Sequence, residues 1–251
     1  MNKYSDRYYF CMTNGKVWNA LAEEYDNKDH AVMDWRLGYS VVEDILGEIG
    51  GKSILDYGCG SCKFSRRMRD LGALVTAVDV SKNAIERAKQ RDKTNIDYRV
   101  IEDDNLSFMK NESLDEAVAT FVFCTMQQDD QVRNITRQIY EKLNSQGYLT
   151  ILEPHPESLG YEFVSMKRER PEEVKSGTPI KVQLTGMNTP FYDYWRSIDD
   201  YVRILDKTGY KVEEIKAPLV ENCPNETFWK DERIQPPLII IRAKKVLPSS
   251  K

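Results

Sequence analysis

No run of apolar residues in this 251-residue sequence approaches the about 18 that a membrane-spanning helix needs. Residues 1–12 are polar and aromatic where a secretory leader would be apolar, and the two absences together predict a cytoplasmic protein. Histidine is scarce: His30 and His155 are the only two. Cys11, Cys59, Cys62, Cys124 and Cys223 are odd in number and irregular in spacing, which suits reduced thiols better than a disulfide framework. Cys59 and Cys62 form one CxxC pair, but no second pair completes the four soft ligands of a structural zinc site, so no metal is expected. An excess of positive charge is also missing. The net charge is −4, and basic residues are interleaved with acids, as between Lys82 and Lys93, so no basic stripe is offered to a nucleic acid. Internal repeats are lacking, and low complexity is confined to the polar tail from Pro248 to Lys251.

What is present is a chain 41% hydrophobic and 30% charged, enough to bury one sizeable core and cover it, which predicts a single domain. Short apolar runs alternate with amphipathic stretches. Ser53 to Asp56 and Leu74 to Val78 read as buried strands, followed by helical patterns over Phe64 to Leu71 and Ala84 to Arg91, the second with Ser81 as its N-cap. Further strands are expected at Ile96 to Ile101, Glu116 to Phe123 and Tyr148 to Leu152, the last two separated by a helix that ends near Leu143 and breaks at Gly147. This rhythm predicts an α/β fold, doubly wound, with a mostly parallel sheet covered by helices on both faces. After Pro154 roughly forty residues rich in proline, glycine and aromatics interrupt it, longer than an ordinary connection and therefore a candidate lid or substrate-facing insertion. A helix from Ser197 to Lys207 and strands at Tyr210 to Ile215 and Leu238 to Arg242 complete the pattern.

The chemistry concentrates where the first strand runs through Asp56-Tyr-Gly-Cys-Gly-Ser61 into a helix. Gly58 and Gly60 permit a tight turn and close backbone approach to a ligand, which by itself fits any nucleotide-type cofactor. Asp56 narrows the choice. Facing a diphosphate, a carboxylate here would be penalised by about 4 kcal/mol per charge at ~4 Å and an effective dielectric of 20, whereas S-adenosylmethionine (SAM) carries an ammonium and a sulfonium and turns the penalty into attraction. Lys63 at the third glycine position of the nicotinamide pattern G-x-G-x-x-G argues the same way. Judged alone, Asp56 could also cap the next helix, which is the lesser reading. Asp79 follows Gly58 by 21 positions, close to the about 20-residue offset at which an acid meets ribose hydroxyls. Of Glu102-Asp-Asp104 after the third strand, Asp103 is the favoured acceptor for an adenine amino group, a solvated loop being the other reading.

These residues resemble the class I SAM-dependent methyltransferases, in particular the branch acting on small molecules. Leu55 to Ser61 looks like the first motif of that family, Val78-Asp-Val-Ser81 like its ribose motif, and Asp103 with Leu106-Ser-Phe108 like its adenine motif. Trp18 to Asp26 is similar to its N-terminal helix over the cofactor, and Asp199 to Leu205 with Gly209 to Val212 to its penultimate helix and strand. The resemblance implies a seven-stranded Rossmann-like sheet with an antiparallel final strand. It implies a helical cover over 1–50, a SAM-binding core over 51–153, a substrate-facing insertion over 154–197 and a closing helix and strand pair over 198–245. It further implies that Asp56, Gly58, Gly60, Ser61, Asp79, Val80, Asp103, Asp104, Phe121 and Tyr25 contact SAM or its product S-adenosylhomocysteine, with Arg36 near the cofactor carboxylate. Cys62 stands where the family often has glycine, which implies a slightly altered turn.

Methyl transfer is an in-line displacement, so much of catalysis is positioning and exclusion of water. A hydroxyl or amine acceptor must also lose a proton. Beyond the fifth strand lie Glu153 and His155, with His155 the candidate general base because its pKa suits neutral pH, and Tyr194 in the insertion is a third candidate. Tyr161, Phe163, Phe191, Tyr192, Tyr194 and Trp195 either line a pocket for a small, ring-bearing substrate or form the core of a lid, and Tyr8, Tyr9 and Phe10 extend the same cover. The family's DNA amino-methyltransferases carry an Asp/Asn-Pro-Pro-aromatic motif where this chain reads Phe123-Cys-Thr-Met-Gln-Gln128, which disfavours nucleic acid as substrate. Two other readings remain: a SAM-binding enzyme of the same fold with a non-methylating reaction, and a non-catalytic SAM sensor.

Overall fold

The computed structural model describes residues 15–27, 34–92, 95–220 and 228–247. Tyr8, Tyr9, Phe10 and His30 lie outside them. The alternating runs fold as a seven-stranded sheet in the order β3-β2-β1-β4-β5-β10-β9. Its strands are β1 (Ser53–Tyr57), β2 (Leu74–Asp79), β3 (Asp97–Val100), β4 (Leu114–Thr120), β5 (Leu143–Pro154), β9 (Tyr210–Lys216) and β10 (Leu238–Lys245). β10 is antiparallel to both of its neighbours, and the pairs from β3 to β5 are parallel. The inner strands are apolar on both faces because both faces are covered. Ile54, Val118 and Ile240 enter one core, while Leu55, Ala117, Ala119, Ile239 and Ile241 enter the other.

Helices α1 (Gly15–Asn27), α2 (Ser40–Leu46), α3 (Lys63–Asp70), α4 (Lys82–Arg91), α5 (Asp129–Lys142) and α6 (Ile198–Lys207) complete the main body, and a π-helical turn, Asp34–Tyr39, leads into α2. Ser81 caps α4 by accepting from the Ala84 amide at 3.2 Å, and Ser197 and Asp200 form a capping box on α6.

Three boundaries differ from the sequence expectation. β4 stops at Thr120, short of Phe123, because Phe121 adopts φ +58° and the amides of Val122, Phe123 and Cys124 are taken by the Glu153 side chain. β5 begins at Leu143, and its pairing with β4 jumps from Leu114↔Leu143 to Glu116↔Tyr148, so Gly147 sits in a bulge and does not break the strand. The insertion is an antiparallel sheet of its own: β6 (Met166–Arg168), β7 (Thr178–Leu184) and β8 (Phe191–Trp195). The alternation Ile180-x-Val182-x-Leu184, buried at every second residue, is the period-two signal that the insertion's glycines and prolines obscured. Phe163, Met166, Val182 and Leu184 join Leu152 and Leu238 in one core, so the small sheet is packed onto the large one. Among the described residues no helix is long and apolar enough to cross a membrane.

Candidate active site

In an open α/β sheet, ligands bind beyond the carboxyl ends of the strands where the strand order reverses, here at β1 between β2 and β4. A cavity lies there in two adjoining lobes. Both lobes are walled by Tyr25, Gly58, Gly60, Ser61 and Thr120. The first adds Trp18, Asp79, Val80, Asp104, Phe121 and Val122. The second adds Asp56, Trp35, Tyr39 and Phe64.

The turn after β1 requires glycine at position 58 on two counts. Its φ is +73°, and a Cβ there would stand 2.3 Å from Cγ2 of Val122. Cys62 is also left-handed, at φ 57°, where it caps α3; this costs a side chain about 1–2 kcal/mol that glycine would be spared. Its fully buried thiol lies 2.8 Å from that of Cys59.

Asp79 joins three elements. One carboxylate oxygen accepts from the Gly60 amide at 2.8 Å and the other from the Ser81 amide at 2.7 Å, fixing the glycine turn to the ends of β2 and α4. Burial raises its pKa against the pull of these hydrogen bonds. Asp56 is more deeply buried. Its Oδ2 accepts from the Ser65 hydroxyl, while Oδ1 has no partner. Burial pushes the carboxyl up to about 7, the Ser65 bond opposes this, and the charge of Asp79 adds to it. An unpartnered buried carboxylate oxygen on a cavity wall is the counterpart of a cationic ligand group, so these residues fit the SAM ammonium.

Of the two acids after β3, Asp104 lines the cavity and Asp103 does not. Asp103 is exposed, and both residues are left-handed. The Tyr57 hydroxyl donates to Asp104 Oδ1 at 2.8 Å, and Gln138 Nε2 donates to its carbonyl at 3.0 Å, turning the carboxylate inward. Sequence reasoning favoured Asp103; the partners that single out Asp104 are 47 and 34 residues away.

The first helix closes over the cavity. Asn19 accepts from the Ser81 hydroxyl and the Asn83 amide, and Asp26 pairs with Arg87 and Arg91. Although burial works in the other direction, Arg91, Ser61 and Arg87 hold the Asp26 carboxyl below its ordinary range. Arg36, read as a partner of the cofactor carboxylate, is exposed and lines neither lobe.

The three acid–base candidates stand behind the walls. Glu153 is buried, and its two oxygens accept the amides of Val122 (3.2 Å), Phe123 (2.7 Å) and Cys124 (3.1 Å). That is structural capping of the loop after β4, and it leaves no contact with the cavity. His155 is buried with Nδ1 accepting from the Glu157 amide at 3.2 Å, and Tyr194 is buried within the insertion; neither lines a lobe. Trp35, Tyr39 and Phe64 were missed. Trp35 and Tyr39 are four positions apart in one helical turn, with ring centroids 5.1 Å apart, and Tyr39 stacks on Phe64 at 4.9 Å. Only the i,i+4 spacing was visible beforehand.

A methyltransferase domain model matches residues 55–151. An N-demethylindolmycin N-methyltransferase of Streptomyces griseus is 29% identical over 221 residues, covering 82% of this chain and 93% of that protein. The crystal structure of a SAM-dependent methyltransferase from Mesorhizobium loti superposes with a TM-score of 0.66 at 18% identity, covering 85% of this chain and all of that one. A [4+2]-cyclase shares the fold at a TM-score of 0.64 and 12% identity, covering 93% of this chain and 95% of its own. With a carboxylate where a diphosphate-binding turn has none, and the domain match spanning the strands that carry it, the chain carries a SAM-dependent methyltransferase domain on a Rossmann-like fold.

Proposed function

We propose that the protein transfers the methyl group of SAM to a small-molecule acceptor through an oxygen or nitrogen nucleophile, in the cytoplasm. The observation that carries this is the buried, unpartnered oxygen of Asp56 on the wall of the aromatic lobe, beside the glycine turn that both lobes share. When bound, SAM supplies a methyl group already activated by its sulfonium. The chain's own residues do the rest. Asp79 offers paired acceptors to ribose hydroxyls, Asp104 an acceptor to the adenine amino group, and Asp56 a charge to the ammonium. Tyr25, Trp18 and Phe121 exclude water.

Trp35, Tyr39 and Phe64 support a ring-bearing acceptor in the second lobe. The Streptomyces griseus relative, named for N-demethylindolmycin, supports nitrogen as the atom methylated. Residues 154–197 serve as the acceptor-facing insertion: Phe191 meets Trp18 at 6.2 Å, and Glu24 of α1 accepts from the Thr189 amide at 3.1 Å. Incubation with SAM and a panel of aromatic amines and phenols is expected to yield one S-adenosylhomocysteine per methylated product. SAM binding with acceptor conversion but no S-adenosylhomocysteine would replace transfer by a cyclisation or rearrangement, the first having a precedent in the [4+2]-cyclase of this fold; binding without any conversion would leave a sensor.

Asp56 also sets a pH dependence. Its folded pKa of about 7 lies above the ordinary 3.8, so in the ligand-free protein its contribution to stability is full below the lower value and is lost as pH rises through the higher. SAM binding runs the other way, since the ammonium needs the carboxylate. Calorimetry is expected to show affinity rising from pH 6 to pH 8, and Asp56→Asn should flatten this rise and weaken binding at pH 8 about tenfold. An unaltered pH dependence in the variant would remove the ammonium assignment.

A further inference from the structure

We infer that Glu153 and Arg196 are positioning residues for the transfer, a pair that grips the loop after β4 from its two backbone sides and so sets the cavity wall against which the reacting groups are aligned. Glu153 takes the donor side, accepting the amides of residues 122, 123 and 124. Arg196 takes the acceptor side. Its guanidinium, fully buried, donates to the carbonyls of Phe123 (2.9 Å), Met126 (2.6 Å) and Gln127 (3.1 Å), and its Nε donates to Asp129 at the start of α5 (2.9 Å). The gripped segment supplies Phe121, Val122, Thr125 and Met126 to the cavity.

An ordinary turn would satisfy these groups with water or its own backbone. Two buried ionic side chains from β5 and from the end of the insertion do so here, which is a costly arrangement unless every hydrogen bond is made. What the grip holds is a strained and close-fitted conformation. Phe121 sits at φ +58°, a region that ordinary side chains seldom adopt, and Val122 stands where a Cβ on Gly58 would come within 2.3 Å of it. A loop free to relax would move Phe121 off the wall and Val122 off the cofactor turn. The insertion is tied to the same segment a second time: the Ser176 hydroxyl donates to Asp129 at 2.6 Å, and Gly177 lies so close that a Cβ would meet the Gln127 carbonyl at 2.7 Å. Arg196 thus places the acceptor-facing insertion and the cofactor wall in one register. The acids that would hold SAM are secured separately, by Ser65, Gly60, Ser81 and Tyr57.

The inference rests on the methyl-transfer reading and makes a distinct demand. Glu153→Gln puts an amide NH2 against a backbone N–H, and Arg196→Lys keeps the charge but loses the fork. Each variant is expected to lower kcat about a hundredfold, the scale of a misplacement near 1 Å, while the Kd for SAM stays within about threefold. Because both act on one loop, the double variant should be little worse than the poorer single one. Arg196→Lys leaves Glu153 and its three amides in place, so it tests the inference even where Glu153→Gln folds poorly. If kcat stays within threefold of wild type in either folded variant, if kcat and SAM affinity fall together, or if the two losses multiply, the inference is overturned. A wild-type protein that forms no S-adenosylhomocysteine with any acceptor would instead overturn the reading beneath it.

Discussion

Gly58→Ala is expected to raise the Kd for SAM by more than about a hundredfold, because two penalties meet at one atom. The left-handed backbone alone costs a side chain about 1–2 kcal/mol. The new Cβ would also stand 2.3 Å from Cγ2 of Val122, and because Glu153 and Arg196 hold the loop after β4, it is the cofactor turn that must move. Titration calorimetry measures the loss, and the double variant Gly58→Ala/Val122→Ala distinguishes the causes. Removing the valine methyls abolishes the overlap but leaves the backbone strain, so the double variant should recover part of the affinity. Binding by Gly58→Ala equal to wild type would show that the turn tolerates displacement and does not shape the cofactor site.

Asp79→Ala is expected to weaken SAM binding by about a hundredfold or more. Hydrogen bonds to a charged group contribute about 1.5–3 kcal/mol each, and a ribose offers two hydroxyls to this carboxylate, so about 3 kcal/mol or more is at stake. The substitution also frees the Gly60 and Ser81 amides that the carboxylate ties together. Asp79→Asn separates the contributions, since it preserves shape and one acceptor while losing the charge; a smaller loss, near tenfold, is expected. Circular dichroism should show the sheet retained in both. Unchanged affinity in Asp79→Ala would remove Asp79 from the cofactor site.

Much of this site was legible because it depends on neighbours in the chain. Asp56 lies near the end of one strand with Gly58, Gly60 and Ser61 in the turn after it, and Asp79 ends the next strand with Ser81 capping the helix beyond, so strand periodicity and residue type were enough to bring them together. Asp104 was harder. Its orientation depends on Tyr57 and Gln138, and nothing within Glu102-Asp-Asp104 distinguishes one acid from the next. The aromatic lobe combines Trp35 and Tyr39 with Phe64 and Thr120, three stretches with no local signal in common.

Glu153 shows the opposite case. A carboxylate just beyond a parallel strand is well placed for proton transfer as far as sequence goes, and so are His155 and Tyr194. Their surroundings decide otherwise. The amides that occupy Glu153 belong to a loop about thirty residues earlier, freed for it by the left-handed turn at Phe121. Where a buried carboxylate already accepts three backbone donors, its lone pairs are committed to the fold.

By itself, the order of residues determined the alternation of strand and helix, the glycine-bearing turn and the acids at the ends of the first two strands, since hydrophobic period and turn chemistry act over a few neighbouring positions. Only the tertiary structure decided which acid after β3 turns inward, that the insertion is a sheet, and that Glu153 holds a loop. Each of those depends on a hydrogen-bond partner or packing surface supplied from elsewhere in the chain, and backbone groups that must be satisfied when buried accept whichever side chain the fold brings to them.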